Sequence, residues 1–284
     1  MKKFNKSDKS GEGDRWDKEG KAGGGYEEYI KKGPKSKRRD DGDNRDDMEK
    51  KGKKERRRDK FGGKNRDKDK GIVKKFNGIT MFSGKIATRN KTPGYRVYDE
   101  KLIEQNNSEF RIWDPYRSKL GAAIMKGLKS FPINRNSKVL YLGASSGTTA
   151  SHVADIAESV YCVEFSKRMM RELLHVTMKK NNMIPVLGDA KRPDEYLHNI
   201  GGVDVIFQDV AQRNQAEILI KNTKVFSPRY AMLSIKSRSI SASKTPKQVF
   251  REEIEKLKEK FEVLEIIDLR PYEKDHVLVN LEVK

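Results

Sequence analysis

Residues 139–156, VLYLGASSGTTASHVADI, run an apolar strand into a Gly/Ser turn and then into a helix. Gly143 and Gly147 let a ligand approach the backbone with no Cβ in the way. The N–H groups that open the following helix attract polar or anionic groups. Glu164 closes the next apolar segment, 21 residues after Gly143. A carboxylate there can accept both ribose hydroxyls of an adenosine. Asp189, in Leu187-Gly188-Asp189-Ala190, closes a third segment. It is placed either to accept from an adenine amino group or to cap the helical stretch that follows.

Outward from this turn, strand and helix alternate. The strands expected are Val139–Leu142, Val160–Glu164, Ile184–Leu187, Val203–Gln208, Tyr230–Ile235, Val263–Leu269 and Val277–Val283. Helices are expected over Thr148–Ala157, Lys167–Lys179, Pro193–Leu197, Gln215–Val225 and Pro246–Glu259. Such alternation predicts a mostly parallel sheet covered on both faces. RPYEKDH (270–276) is too short for a crossover, so the last two strands pair antiparallel if they are neighbours. The fold class is therefore α/β, Rossmann-like, with seven strands and an antiparallel last strand, which is the layout of class I S-adenosylmethionine-dependent methyltransferases. A dinucleotide-binding sheet lacks the reversed strand, and the turn lacks the third glycine of GxGxxG, which places S-adenosylmethionine ahead of NAD. Upstream, YRSKLGAAIMKGLKSF reads as a helix over 116–130, opened by Pro115 and ended by Pro132. Residues 71–115 hold short apolar runs broken by Gly and Pro, a small β-rich domain of hairpins, with a methyltransferase domain over 116–284.

Charge sets the class of partner. The 284 residues carry 62 Lys+Arg against 42 Asp+Glu, net +20, with 35% hydrophobic and 37% charged residues. Residues 1–70 hold 26 Lys/Arg and 17 Asp/Glu, so the remainder is also basic, 36 against 25. Residues 1–70 bury too little apolar surface to offset the entropy of ordering and read as a disordered charged tail. A polyanion, nucleic acid first, is the expected partner, while charge that serves only solubility is the plainer reading. One cysteine, Cys162, excludes an internal disulfide and a Cys-rich zinc module, and no metal site is expected. The start has no apolar core of a secretory signal, and no apolar run is long enough to span a membrane, so a soluble intracellular protein is expected.

Ligands of open α/β sheets sit beyond the carboxyl ends of the strands. Asp209 follows VDVIFQ and Lys236 follows YAMLSI; His276 begins the reversed strand, at the same edge. Lys119, early in the 116–130 helix, can reach over it. Each also has a plain reading as a cap, a surface lysine or a strand-end histidine. A lysine ending an apolar strand at the ligand edge is costly to desolvate unless it has a task. His152, His175 and His198 lie on or near helices and read as structural.

The pieces PYRSKLGAAI, VLYLGASSGTTASHV, VEFS, GDA, VDVIFQDVAQ, IKSRSI and PYEKDH, in order across residues 75–284, resemble the fibrillarin family, in its archaeal form more than its eukaryotic one. The resemblance implies S-adenosylmethionine-dependent 2′-O-methylation of ribosomal and transfer RNA. It implies a catalytic tetrad at Lys119, Asp209, Lys236 and His276. Cofactor contacts fall on Gly143, Ala144, Thr148, Thr149, Glu164, Phe165, Asp189, Ala190, Asp209, Val210, Ala211 and Gln212. It further implies a box C/D guide RNA, a Nop-type scaffold protein and a kink-turn-binding protein as partners. Location would be cytoplasmic for an archaeal-type protein and nucleolar for a eukaryotic one. Two departures stand out: Arg213 replaces the proline usual after Asp-Val-Ala-Gln, and the strand before Lys236 lacks the customary Gly-Gly. The long charged tail is not the Gly/Arg-rich domain of eukaryotic members.

In this scheme a ribose 2′-hydroxyl attacks the sulfonium methyl in line, and Lys236 is the base. Lys119 beside it favours a neutral amine and Asp209 opposes that, and the sequence leaves the balance open. Tyr116, Arg117, Arg238 and Arg270 are candidates for the RNA path or for ordinary packing and ion pairs. Two other functions compete: an NAD-linked oxidoreductase, which has no use for Asp209 and Lys236 together, and a non-catalytic RNA-binding subunit, which has no use for an intact tetrad.

Overall fold

The structure is a computed structural model, and it describes residues 73–284; the expected tail over 1–70 lies outside the described residues. Five short strands come first: β1 (Val73–Phe76), β2 (Ile79–Phe82), β3 (Lys85–Arg89), β4 (Leu102–Gln105) and β5 (Ser108–Ile112). They form one antiparallel sheet in the order β1-β2-β3-β5-β4.

The 116–130 helix is shorter than its apolar stripe suggests. Asp114 turns the chain first, its carboxylate accepting from Tyr116 N at 2.9 Å and its carbonyl from Arg117 N at 3.2 Å. Ser118 then caps α1 (Lys119–Met125) by accepting from Gly121 N. Gly127, at φ +95°, breaks the backbone well before Pro132. Ser118, not Pro115, therefore sets the helix start, and Lys119 is its first residue.

The second sheet contains β6 (Lys138–Leu142), β7 (Ser159–Glu164), β8 (Met183–Leu187), β9 (Val205–Gln208), β10 (Tyr230–Lys236), β11 (Phe261–Asp268) and β12 (His276–Val283), ordered β11-β12-β10-β9-β6-β7-β8. β12 runs antiparallel to both neighbours, and the other neighbouring pairs are parallel. The expected α/β class with its reversed last strand is the observed one. Between the strands lie α2 (Thr148–Ile156), α3 (Lys167–Thr177), α4 (Gln215–Phe226), a short α5 (Ser237–Ile240) and α6 (Pro246–Lys258). The expected helix at Pro193–Leu197 is instead two 3₁₀ turns, Pro193–Glu195 and Leu197–Asn199. Tyr196 between them is buried under Gly188 and donates to Asn222 at 2.6 Å, which pins the chain too tightly for a full α turn. α5 had no signal in the sequence.

The two sheets share one apolar cluster, in which Ile79, Ile86 and Trp113 pack with Val153, Leu120 and Val160. A polar chain crosses the same boundary. Arg111, fully buried, pairs through Nε with Glu100 at 2.6 Å and through Nη1 with Asp155 at 2.8 Å. Lys180 Nζ pairs with the other oxygen of Asp155 at 2.5 Å. The two cations and two carboxylates balance. His152 stacks on Trp113 at 4.7 Å, and its Nδ1 and Nε2 lie 2.8 Å from Thr88 Oγ1 and 2.7 Å from Tyr98 OH. Thr88 Oγ1 donates to Asp155, so it accepts from the ring's Nδ1–H and leaves Nε2 to accept from Tyr98. The ring is neutral, and burial, then Arg111 and Lys180, hold its pKa well below the ordinary histidine value. The structural reading of His152 agrees with this; His175 and His198 are exposed.

Two expected outcomes follow from the boundary. Arg111→Leu strands Glu100 and Asp155 and lowers stability by about 3–5 kcal/mol in equilibrium chemical denaturation. His152 titrates in the unfolded chain near the ordinary value of about 6.5 and in the folded chain well below it, so its contribution is complete above that pH and declines as pH drops beneath it, by up to about 1.4 kcal/mol per unit. Denaturation of wild type and His152→Gln at pH 7 and pH 5 checks this: the variant loses less stability between the two.

Candidate active site

The carboxyl ends of β6, β7, β8, β9 and β10 stop along one edge, in register: Leu142 beside Gln208 and Gln208 beside Leu233. The chain leaves β6 at Gly143, whose φ of +83° is the left-handed region. An added Cβ would stand 3.0 Å from the Asp209 carbonyl oxygen and 3.2 Å from Val210 Cγ1. Glycine is thus required twice over, by conformation and by close approach. A cleft of about 360 Å³ opens here. Gly143, Ser145, Glu164, Phe165 and Ser166 line one side of it; Gly188, Asp189, Ala190, Asp209, Val210, Ala211, Gln212 and Lys236 complete it with Val163 and Met169.

Most of the expected cofactor residues meet in this cleft. Ala144, Thr148 and Thr149 do not line it. Ala144 belongs to the apolar cluster. Thr148 opens α2. Thr149 is buried, donates to Ser118 Oγ at 3.0 Å and hydrogen-bonds the Tyr141 side chain. Thr149 therefore joins the start of α2 to the start of α1, which carries Lys119. Burial, and after it the charge of Asp209, push the Tyr141 hydroxyl well above its usual pKa. Glu164 is 7% exposed, and its two oxygens accept from Ser145 N and Ser166 N, both at 2.8 Å. Asp189 accepts from Lys191 N, closing a turn of its own rather than capping the 3₁₀ helix, whose cap is Arg192.

Three of the four expected catalytic groups meet at Asp209. Its carboxylate stands between Lys236 Nζ at 2.8 Å and Lys119 Nζ at 3.4 Å. Lys236 Nζ also donates to the Asp209 carbonyl at 2.8 Å. All three side chains are 14–17% exposed, so they are shielded but open to the cleft mouth. His276 is the cross-strand partner of Lys236, and the polar partners of its ring are Lys274 and Glu273. Its Nδ1 lies 2.6 Å from the Lys274 carbonyl and 3.9 Å from Glu273, and Glu273 lies 3.7 Å from Lys119 Nζ. Glu273 was not singled out in the sequence, although it sits inside PYEKDH; only the chain reversal shows that it faces Lys119. Gln208 and Gln215 were also missed. Gln208 donates to the Gln215 carbonyl at 2.7 Å, and Gln215 joins the backbones of Gln212 and Lys236. They hold the 209–214 loop where Arg213 stands in place of proline, and β10 runs unbroken to Lys236 without the Gly-Gly.

Of the four proposed RNA-path residues, Tyr116 is 63% exposed and meets Tyr272 edge-on. Arg117 lies over the Tyr98 ring, Arg238 pairs with Asp275, and Arg270 pairs with Asp268. Cys162 is buried. Among the described residues no cluster of His, Cys, Asp and Glu could hold a metal ion, and no helix is long and apolar enough to cross a membrane.

Residues 70–284 match the Fibrillarin family model. The chain belongs to the fibrillarin family. It is 53% identical over 218 residues to the fibrillarin-like rRNA/tRNA 2′-O-methyltransferase of Methanococcus vannielii, covering 74% of this chain and 95% of that one. The crystal structure of Aeropyrum pernix fibrillarin, which carries natively bound S-adenosyl-L-methionine, aligns with TM-score 0.67 and 38% identity over 74% of this chain and 99% of that one. The fibrillarin chain of a fibrillarin/Nop5p complex aligns with TM-score 0.68 and 34% identity, covering 73% and 98%. The resemblance read from the motifs thus holds across the family region.

The Gly143 contact generates a stability test. Gly143→Ala must place a Cβ against the Asp209 carbonyl in a left-handed conformation, which costs about 1–2 kcal/mol before any displacement of the loop. Its denaturation midpoint falls accordingly, whereas Gly94→Ala, with open space around its Cβ, pays the conformational part alone.

Proposed function

We propose that this chain is an S-adenosylmethionine-dependent RNA 2′-O-methyltransferase acting on ribosomal and transfer RNA. A box C/D guide RNA, a Nop-type scaffold and a kink-turn-binding protein deliver the target, and as an archaeal-type member the protein works in the cytoplasm. Residues 71–115 form its small N-terminal unit and 116–284 its methyltransferase domain. The observation that carries the activity is the Lys119–Asp209–Lys236 cluster at the mouth of a cleft walled by the Gly143 turn and Glu164. The names of the relatives, the cofactor of the A. pernix protein and the Nop5p complex support it.

The donor set fits an adenosyl cofactor. Each Glu164 oxygen has one backbone N–H and keeps a further lone-pair site, enough for two vicinal ribose hydroxyls. Gly143 lets the Asp209 carbonyl close up against the turn, and Asp189 lies farther along the same cleft to accept from an exocyclic amine. When bound, S-adenosylmethionine supplies an electrophilic methyl on a sulfonium.

The proton leaving the 2′-hydroxyl goes to Lys236. A neutral amine has two N–H bonds and one lone pair. Lys236 Nζ donates one N–H to the Asp209 carbonyl and lies 2.8 Å from the carboxylate, and a lone pair on the nitrogen would face the hydroxyl. Lys119 is the second lysine at Asp209 and stands on the other carboxylate oxygen. Once Lys236 takes the proton, Asp209 stabilises the new ammonium. His276 donates through Nδ1 to the Lys274 carbonyl, and Glu273 stands between it and Lys119.

Single-turnover methyl transfer in the guide-assembled complex tests the assignment. Lys236→Ala is expected to slow it about 10²–10⁴-fold, the usual worth of a positioned base, and an unchanged rate removes Lys236 from that role. Glu164→Gln is expected to weaken S-adenosylmethionine binding about tenfold in calorimetry. Binding of NAD instead would favour the oxidoreductase, and tight RNA binding without transfer the silent subunit.

A further inference from the structure

Lys236 stands at the end of a central strand, but Lys119 opens α1, a helix of seven residues. Side chains tilt toward the start of a helix, so a first residue projects beyond it with no turn underneath. Lys119 lies in this way 3.4 Å from the Asp209 carboxylate and 3.7 Å from Glu273. Its direction therefore depends on how the start of α1 is held. A cation there also opposes the partial positive charge of a helix start, and the first turn of α1 has no acidic residue to offset it.

Ser118 holds that start from two sides. Its Oγ accepts from Gly121 N at 3.1 Å, which closes the first turn, and from Thr149 Oγ1 at 3.0 Å, which comes from α2. Its carbonyl accepts from Ala122 N at 2.8 Å. Ser118 and Thr149 are both buried, so water competes little for these bonds. On a third side Gly121 lies against Trp113, where an added Cβ would stand 3.1 Å from Nε1. The first turn of α1 thus has little freedom to tilt. The bond to Gly121 is the ordinary cap of a helix. The bond from Thr149 is the unusual one, because it ties the cap to the sheet. Thr149 also hydrogen-bonds the side chain of Tyr141 in β6, and Tyr141 feels the charge of Asp209. Contacts therefore run from Asp209 through Tyr141, Thr149, Ser118 and α1, and return to Asp209 through Lys119.

We propose that Ser118 is a positioning residue for methyl transfer: its hydroxyl, held by Thr149, aims Lys119 at Asp209. Ser118 is not part of the cleft wall and acts through Lys119. With Lys119 in place, each oxygen of the Asp209 carboxylate has one lysine nitrogen, and rotation of the carboxylate away from Lys236 breaks both pairs. With Lys119 displaced, only the Lys236 pair resists that rotation. This rests on the methyltransferase reading and deepens it, by naming what sets the second lysine of the reacting cluster.

The experiment uses the full chain in the guide-assembled complex, at saturating S-adenosylmethionine and RNA, in single turnover. Ser118→Ala is expected to lower the rate constant about tenfold, the scale of a buried hydrogen bond, and to leave the RNA concentration at half-saturation unchanged. Thr149→Val keeps the Ser118 cap on Gly121, so α1 stays folded, and is expected to lose a similar factor. Thr149→Ser keeps the hydroxyl and is expected to retain the rate. In a Lys119→Met background, Ser118→Ala and Thr149→Val are expected to cost little more. Losses that multiply in that background, a full-rate Ser118→Ala enzyme, or Thr149→Ser as slow as Thr149→Val overturn the proposal and leave the methyltransferase reading intact. A crystal structure of Thr149→Val reads the aim of Lys119 apart from activity, and decides alone where Lys119→Met shows no transfer. Lys119 Nζ is expected beyond ion-pair reach of Asp209, more than about 4 Å away, with α1 still helical. Lys119 still seated on Asp209 overturns the proposal even if the rate falls. No transfer by wild type overturns the methyltransferase reading itself.

Discussion

The backbone and side chain of Asp209 together fix the geometry of the site. Its N–H donates to the Leu142 carbonyl, which ties the end of β9 to the end of β6. Its carbonyl faces Gly143 at the distance of closest approach and accepts from Lys236. Its carboxylate holds the side-chain nitrogens of two lysines from different parts of the chain. One residue thus sets the width of the glycine turn, the position of the amine at the end of β10 and the reach of α1. Any change in its backbone moves all three at once.

The buried Arg111–Asp155 network serves the same arrangement from behind. α2 carries Ser151, His152 and Asp155 toward the N-terminal sheet and Thr149 toward Ser118. The five-stranded sheet therefore fixes one face of the helix that follows the Gly/Ser turn, and that helix in turn touches the cap of α1. A balanced set of two cations and two carboxylates in a buried boundary contributes little net stability compared with an apolar one, but shifting one sheet against the other would leave buried charges without partners. Alignment is what Lys119 requires, because it must cross from α1 to Asp209.

The seven strands and the reversed last one were legible because apolar runs ending in Gly, Asp or Lys recur at helix-length intervals, and because RPYEKDH is too short to cross the sheet. Glu164, Asp189, Asp209 and Lys236 were legible as polar residues ending apolar strands. What the sequence hid depends on tertiary contact. The apolar stripe of 116–130 continued past a glycine that stops the helix, and Ser118 looked like any serine until its hydroxyl met Gly121 and Thr149. Tyr196 converted an expected α turn into two 3₁₀ turns by packing on Gly188. Glu273 was visible as a letter in a turn, but its partner lies in α1, 154 residues earlier. Gln208 and Gln215 carried no signal, since buried amides that hold a loop resemble any glutamine before folding.

Net charge and site charge are distributed differently. The chain as a whole is strongly basic, yet at its reacting centre Lys119 and Lys236 are balanced by Asp209 and Glu273. Attraction to a polyanion therefore comes from surfaces away from the chemistry and weakens with salt, whereas the centre needs its charges for one another. A neutral, shielded cluster has a further consequence. It does not hold RNA phosphates by itself, so a phosphate drawn onto Asp209's cations would break the pairs that aim Lys236.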